Sequence, residues 1–316
     1  MSNYSLKDIN LLTQDELINQ WVGNKDEINP LVTISCTAFN HGKFIEDTIK
    51  GFLIQQTNFP FEVIIHDDAS VDNTRDIIEE YRERYPKIIK PIYQKNNVYS
   101  KGLRPANFIK KQAKGKYIAV CEGDDFWLDS EKLQKQVCFL EKKPDYVVSC
   151  HDAIVVDSDG KLLKKSKLPN SAKRDFSKFE LQTAEGLLLT LTLVYRNVLP
   201  DDPLERKGVR NGDRFTASML GAYGKAHYQS DISPAVYRVH SNGVWSEKSY
   251  LEKSEEHFNT WFSLYRYYKR KNNNEAASVF RNKYQRDVLK VIPVKEVFRE
   301  LTIRITFFRK LIRFLK

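Results

Sequence analysis

The 316-residue chain is 41% hydrophobic, 12% aromatic and 29% charged, enough apolar material for one large α/β domain or two modest ones and too much for global disorder. Its 51 lysines and arginines against 41 acids leave a net charge of +10, an excess that suits nucleic acid, anionic lipid or a phosphorylated ligand. The four cysteines, Cys36, Cys121, Cys138 and Cys150, form no CxxC pair and no Cys/His cluster at zinc spacing, which argues against a disulfide scaffold or a structural zinc. The opening MSNYSLKDINLLTQDELINQW carries acids and amides where a secretory signal needs an apolar run, and no stretch reaches the ~18 unbroken apolar residues that span a bilayer. The expectation is a cytoplasmic protein.

Residues 1–30 read as a helical lead-in ending at Pro30. Leu31 to Phe39 is a β-prone apolar run, followed by a turn at Asn40-His41-Gly42 and a helical face made of Phe44, Ile45, Ile49, Phe52 and Leu53. Phe61 to His66 is a second strand, after which Ser70 or Asp72 is placed to cap a helix running to about Tyr85. A strand over 88–94, a helix over 105–113 and a strand over 116–121 continue the alternation, which predicts parallel β-α-β units in a helix-covered sheet. Beyond that, the pattern predicts a helix over 133–140, one strand over 146–156, a hairpin turn at Asp157-Ser158-Asp159-Gly160 and a mobile basic loop over 161–178. Helices over 184–193 and 215–220 and a strand over 235–239 follow, and from Ser246 the chain reads as helical and aromatic-rich.

In such a sheet, ligands sit outside the carboxyl ends of the strands, and here those ends carry acids. The second strand runs into Asp67-Asp68-Ala69-Ser70-Val71-Asp72 and the fourth into Glu122-Gly123-Asp124-Asp125, while neither GxGxxG nor GxxxxGK[ST] occurs in the chain. Without a glycine cradle, a phosphate ligand is best neutralised through a divalent metal on oxygen ligands, Mg²⁺ or Mn²⁺. Any one of these acids is equally an ordinary turn residue, and Asp72 is read as one. Asp124-Asp125 is different, because two adjacent like charges at the end of an apolar strand, with Phe126-Trp127 behind them, repel without a cation.

The runs TISCTAFNHGKFIEDTIKGFLIQQ, FEVIIHDDASVDNT and AKGKYIAVCEGDDFWLDSEKLQKQ, with Asn211-Gly212-Asp213 and YRVHSNGVWS at 237–246, resemble the family 2 glycosyltransferases of bacterial surface-polysaccharide type. The resemblance covers about residues 30–246 and implies the α/β GT-A fold, a mostly parallel Rossmann-like sheet flanked by helices. It implies a domain over 31–245, with a nucleotide-sugar half (31–125) and an acceptor half (126–245), and a helical C-terminal region over 246–316. It implies that Thr37, Phe39, Asp67 and Asp68 hold the base and ribose of a nucleoside diphosphate sugar, UDP-linked in many relatives. Asp124 would stand near the ribose, Asp125 on a Mn²⁺ or Mg²⁺ ion that bridges the diphosphate, and His240 would complete the metal shell; Glu122 stands where many relatives have the first Asp. Asp213 would be the general base of an inverting transfer to a hydroxyl of a glycan or lipid-linked saccharide, although Gly212 replaces the glutamate that often precedes it. As a plain helix-terminal acid, Asp213 could equally cap the helix that begins beside it. Trp245, beside Gly243, is a candidate for a lid over the donor. Trp127, His151, Asp152, Thr192 and Arg196 are candidate acceptor lining.

Two competing functions remain at this stage. A sugar-nucleotide nucleotidyltransferase would want a glycine-rich basic loop after the first strand, which Thr37-Ala38-Phe39-Asn40 is not. A non-catalytic sugar-nucleotide scaffold would have no use for Asp213 and His240. Residues 290–316 hold eight lysines and arginines against two acids, a balance of +6 that leaves +4 for the rest of the chain. Val294, Val297, Phe298, Leu301, Ile305, Phe308, Leu311, Ile312 and Leu315 recur at helical spacing among these cations. Such a helix can lie on the anionic inner face of the cell membrane, or pack on its own domain or on a partner helix. A nucleic-acid partner is not expected, since no nucleic-acid motif accompanies the cations.

Overall fold

The alternation of apolar strands and amphipathic helices builds a sheet with its helices on the outside. The computed structural model describes residues 3–22, 29–241 and 248–291. A short capped helix, α1 (Gln14–Asn19), precedes β1 (Val32–Ala38), α2 (Ile45–Leu53), β2 (Phe61–Asp67), α3 (Thr74–Arg84), β3 (Ile89–Tyr93), α4 (Pro105–Lys110), β4 (Tyr117–Val120) and α5 (Lys132–Lys142). β5 (Tyr146–Cys150), β6 (Ala153–Val156), β7 (Leu162–Lys164), α6 (Lys178–Gln182), β8 (Val194–Arg196), α7 (Gly212–Leu220), β9 (Lys225–Tyr228) and β10 (Ala235–Arg238) follow, then α8 (Tyr250–Arg270) and α9 (Asn274–Val291).

Among the described residues the strands form a seven-stranded sheet, β3-β2-β1-β4-β8-β5-β9, and a three-stranded sheet, β10-β6-β7. β1 to β4 run parallel, β8 is antiparallel to both neighbours, and β5 and β9 are again parallel. Val32, Ile34 and Cys36 of β1 and Val63 and Ile65 of β2 are buried with Ile45, Ile49 and Phe52 of α2, which sets the strand ends in a fixed plane. No described helix is long and apolar enough to cross a membrane.

The chain divides into two compact units: residues 1–202 with 213–241, and residues 203–212 with 242–316. The N-terminal segment belongs to the first unit, where Trp21 meets Phe61 edge to face at 5.5 Å. In the second, α8 and α9 pack through Trp261, Tyr268 and Phe280, Trp261 Nε1 donates to Asp287 Oδ2 at 3.0 Å, and Arg270 forks onto Glu205 at 2.7 and 2.8 Å.

Several expectations are corrected. The single strand over 146–156 breaks at His151-Asp152, where the chain passes from one sheet to the other. The Asp152 carboxylate accepts from Ala153 N, Leu168 N and Ser166 Oγ and pairs with Lys173 at 2.8 Å. The basic stretch 161–178 is ordered: β7 pairs with β6, and Leu168, Ala172 and Phe176 are buried between the outward cations. The helix expected over 184–193 is a single 3₁₀ turn at Thr190–Thr192 in an otherwise extended segment, because an almost wholly apolar run carries no period to distinguish the two. Neither Ser70 nor Asp72 is the N-cap of α3. Asn73 occupies that position, while Asp72 closes a turn by accepting from Gly42 N at 2.9 Å and Thr74 N at 3.0 Å.

Lys132 is a charge inside the core. It is fully buried, its Nζ donates to Gln136 Oε1 at 2.7 Å and lies 4.0 Å from the Trp127 ring centroid, and burial pushes its pKa down to about 7, which the nearby Asp129 charge offsets only in part. An unfolded lysine keeps its proton to about pH 10, so between about pH 7 and 10 the unfolded chain binds more protons and stability rises with pH. Measured against Lys132→Met, the wild-type urea midpoint is therefore expected to gain between about pH 7 and 9: Lys132→Met is the more stable at pH 7, with an advantage that shrinks over the same window. Parallel pH profiles for the two proteins would contradict this.

Candidate active site

The carboxyl ends of β1, β2, β4 and β10 bring four loops together. Asn40, in the left-handed region (φ 55°), turns the chain after β1, donating from its N to Ser70 Oγ at 2.8 Å and accepting from Val71 N at 2.9 Å. His41 N donates to Thr74 Oγ1 at 2.8 Å. The β1 and β2 loops are thereby stapled into one rim.

At that rim Asp67 is 1% exposed; Oδ1 accepts from Ser70 N at 3.3 Å, and Oδ2 is buried with no hydrogen-bond partner among the described residues. A buried carboxylate oxygen left unpaired is costly, so it marks a place where a ligand donor would be stabilised. Asp68 has a different part from the one expected. It is 2% exposed and both oxygens are engaged, by Val98 N at 2.7 Å and Tyr99 N at 3.0 Å, so it orders the 98–99 loop. Thr37 is half-buried at the end of β1 and Phe39 is exposed beyond it.

Asp124 lies between two imidazoles. Its Oδ2 is 3.1 Å from His240 Nε2 and 4.0 Å from His41 Nε2, with the two rings edge to face at 6.3 Å. Gly123 makes room for this, since a Cβ there would stand 2.8 Å from His41 Nδ1. Burial works against the ionised form of Asp124, but the His240 hydrogen bond and the two histidines outweigh it and hold the carboxyl below its usual range. Burial lowers the pKa of His41, and the charge of Asp124 only partly offsets that. Nothing in composition singled out His41; the Asn40-His41-Gly42 turn at a strand's carboxyl end was the available signal.

Asp125, expected on the metal, is 3% exposed and turned inward, its Oδ1 accepting from Arg238 N at 2.8 Å. Glu122 faces the remaining negative charge: burial, then Asp124, then Asp213 push its pKa up to about 8. Asp213 stands exposed in the first turn of α7, near enough for its charge to act on Glu122 and Tyr237.

The donor set suits a divalent cation. One ionised carboxylate and two imidazole nitrogens converge, beside carboxylates whose mutual repulsion a cation would relieve. Among the described residues no group of three His, Cys, Asp or Glu side chains is arranged to hold a metal ion. Asp124 and His240 could therefore supply only part of a shell, the rest coming from substrate phosphates and water, as Mg²⁺ and Mn²⁺ accept.

The expected acceptor lining does not face this rim. Trp127 is fully buried and donates to Leu191 O at 2.6 Å, Thr192 Oγ1 donates to Leu189 O at 2.8 Å, and Arg196 donates to Tyr146 O and the Tyr117 hydroxyl. His151 and Asp152 are buried at the β5–β6 crossing. All five are packing or loop-tying residues. Trp245 and the residues from 292 onward lie outside the described residues.

The family model described as glycosyl transferase family 2 matches residues 33–190. An uncharacterized protein of Mycobacterium tuberculosis is 36% identical over 227 residues, 68% of this chain and 60% of its own length. The undecaprenol-linked glucosyltransferase WfaP of Escherichia coli, named as acting from UDP-Glc on α-D-GlcNAc-diphosphoundecaprenol, is 39% identical over 35% of this chain and 41% of its own. Among solved structures, a mannosyltransferase of Pyrobaculum calidifontis in complex with GDP-Man and Mn²⁺ superposes with a TM-score of 0.55 at 15% identity, covering 88% of this chain and 81% of that one. The chain thus spans about 60% of the length of the mycobacterial relatives that it matches. With its GT-A sheet, the acid-bearing strand ends and the family match over residues 33–190, the chain belongs to glycosyl transferase family 2.

Proposed function

We propose that the chain is a metal-dependent, inverting glycosyltransferase that moves a sugar from a nucleoside diphosphate sugar, UDP-linked, to a hydroxyl of a glycan or lipid-linked saccharide. The observation that carries this reading is the Asp124 carboxylate held between His240 and His41 at the carboxyl edge of the sheet, with Asp213 on the same side. In this reading the two adjacent acids exchange the roles first expected for them: Asp124 and His240 would hold the cation, with His41 nearby, and Asp125, hydrogen-bonded to Arg238 N, would brace the loop from behind.

Bound there, Mn²⁺ or Mg²⁺ would act as a Lewis acid on the diphosphate. Asp67 offers its unpaired Oδ2 to an N–H of the base, beside Thr37 and Phe39, while Asp68 acts indirectly by fixing the 98–99 loop. Asp213 takes the proton of the acceptor hydroxyl as that oxygen attacks the anomeric carbon from the face opposite the leaving group. A lipid-linked acceptor, such as the one in the Escherichia coli relative's name, would place the work at a membrane surface, and the basic segment 290–316 supplies charge of the right sign for an anionic inner leaflet.

Calorimetric titration with UDP and GDP, each with Mn²⁺ and with chelator, tests the donor side. UDP is expected to bind at least tenfold (about 1.4 kcal/mol) more tightly with Mn²⁺ than without, and more tightly than GDP. Equal affinities with and without metal would contradict the metal reading; preference for GDP would overturn the nucleotide assignment alone.

A further inference from the structure

The side chains that hold the acidic loop in place come from α2 and from the end of β10. Thr48 Oγ1 on α2 lies 3.0 Å from the Gly123 carbonyl and 2.7 Å from the Asp125 carbonyl, which share its proton. α2 has no slack against this loop, since a Cβ at Gly51 would stand 2.9 Å from Trp127 N. Asp47, the neighbour of Thr48, is 6% exposed and uses both oxygens. Oδ1 accepts from Leu6 N at 2.8 Å and Ser5 Oγ at 3.1 Å, and Oδ2 accepts from Arg238 Nη2. Arg238, equally buried, donates from Nη1 to the Asp124 carbonyl at 3.1 Å and from its backbone N to Asp125 Oδ1. Its guanidinium lies over the Phe126 ring at 4.5 Å and the Phe44 ring at 5.2 Å.

These contacts form one chain of constraint. The N-terminal segment fixes Asp47, Asp47 fixes the Arg238 fork, and that fork fixes the main chain of Asp124. His240 leaves the same strand two residues after Arg238, so one guanidinium governs both sides of the Asp124–His240 pair. A buried ion pair is weak evidence for stability, because desolvation offsets its attraction, but it does specify a geometry.

We infer that Asp47 and Arg238 are positioning residues that set the Asp124–His240 separation and through it the affinity for the divalent cation. This rests on the metal reading given above. Arginine is required rather than a generic cation: one nitrogen serves Asp47 while another serves the Asp124 carbonyl, a division a lysine ammonium at the same depth makes poorly.

The test uses the full chain without donor, following free Mn²⁺ by electron paramagnetic resonance for wild type, Asp47→Asn, Arg238→Lys and Thr48→Val, with a thermal melt of each. Asp47→Asn is expected to weaken Mn²⁺ binding roughly 10-fold or more, with Arg238→Lys intermediate, and kcat is expected to fall more than KM rises. Thr48→Val removes a buried loop hydrogen bond without stranding a charge, so it is expected to shift the Mn²⁺ affinity in the same direction with a smaller loss of melting temperature than Asp47→Asn, and it decides the matter if Asp47→Asn fails to fold. Wild-type Mn²⁺ affinity in every folded variant would overturn the inference alone. Absence of Mn²⁺ binding by the wild type would overturn the metal reading and this inference with it.

Discussion

Asp213→Asn is expected to lower turnover by roughly 10²- to 10⁴-fold while donor affinity stays nearly unchanged. Asparagine keeps the shape of the side chain and removes only its ability to accept a proton from the acceptor. The folding cost is small, because Asp213 is exposed on the first turn of α7, where an acid's interaction with the helix dipole is worth about 0.3–1 kcal/mol. Turnover and donor Kd measured on one preparation check this. A weakened Kd with unchanged turnover would make Asp213 a donor-binding or helix-terminal residue instead. Its influence on Glu122 and Tyr237 puts it within electrostatic reach of the acidic loop.

Asp124→Asn is the second large effect. It removes the carboxylate on which His240 and His41 converge, so Mn²⁺ affinity and metal-dependent turnover are expected to fall together, turnover by on the order of 10³-fold. Asp125→Asn behaves differently in this account. Its Oδ1 is occupied by Arg238 N and asparagine can still accept that hydrogen bond, so the loop survives and the loss of Mn²⁺ affinity is the smaller of the two. Equal losses in the two variants would restore Asp125 as a direct ligand. Titration of free Mn²⁺ alongside steady-state turnover separates the cases.

The first four strands were legible because each is an apolar run bounded by a turn and followed by a helical pattern, and their parallel pairing is expected from that alternation; their order comes from the structure. Their carboxyl ends, and so the acids, were legible for the same reason. β8 and β9 were not, being three and four residues long, one of them inside a uniformly apolar run. The crossing at His151-Asp152 was missed because both flanking segments are strands and only the Asp152 contacts with 166, 168 and 173 show that they part. Among candidate site residues, Asp124, Asp213 and His240 can be named from motifs, but that Asp125 turns to the Arg238 backbone while Asp124 meets His240 is visible only in the structure. The Asp47–Arg238 pair joins residues 191 apart in sequence, and neither stands out within its own segment. Trp127, His151, Asp152, Thr192 and Arg196 were overread as lining for a related reason: polar atoms that saturate one another inside a core have the same composition as polar atoms that wait for a ligand.

Metal-dependent transfer from a nucleoside diphosphate sugar is tested most directly by release of nucleoside diphosphate from a panel of UDP- and GDP-linked sugars, with Mn²⁺ and with chelator. The expected result is release from a UDP-sugar that needs Mn²⁺, is lost in Asp124→Asn and Asp213→Asn, and accelerates when a glycan or lipid-linked saccharide acceptor is supplied. Release that persists in chelator, or survives both substitutions, would contradict the account.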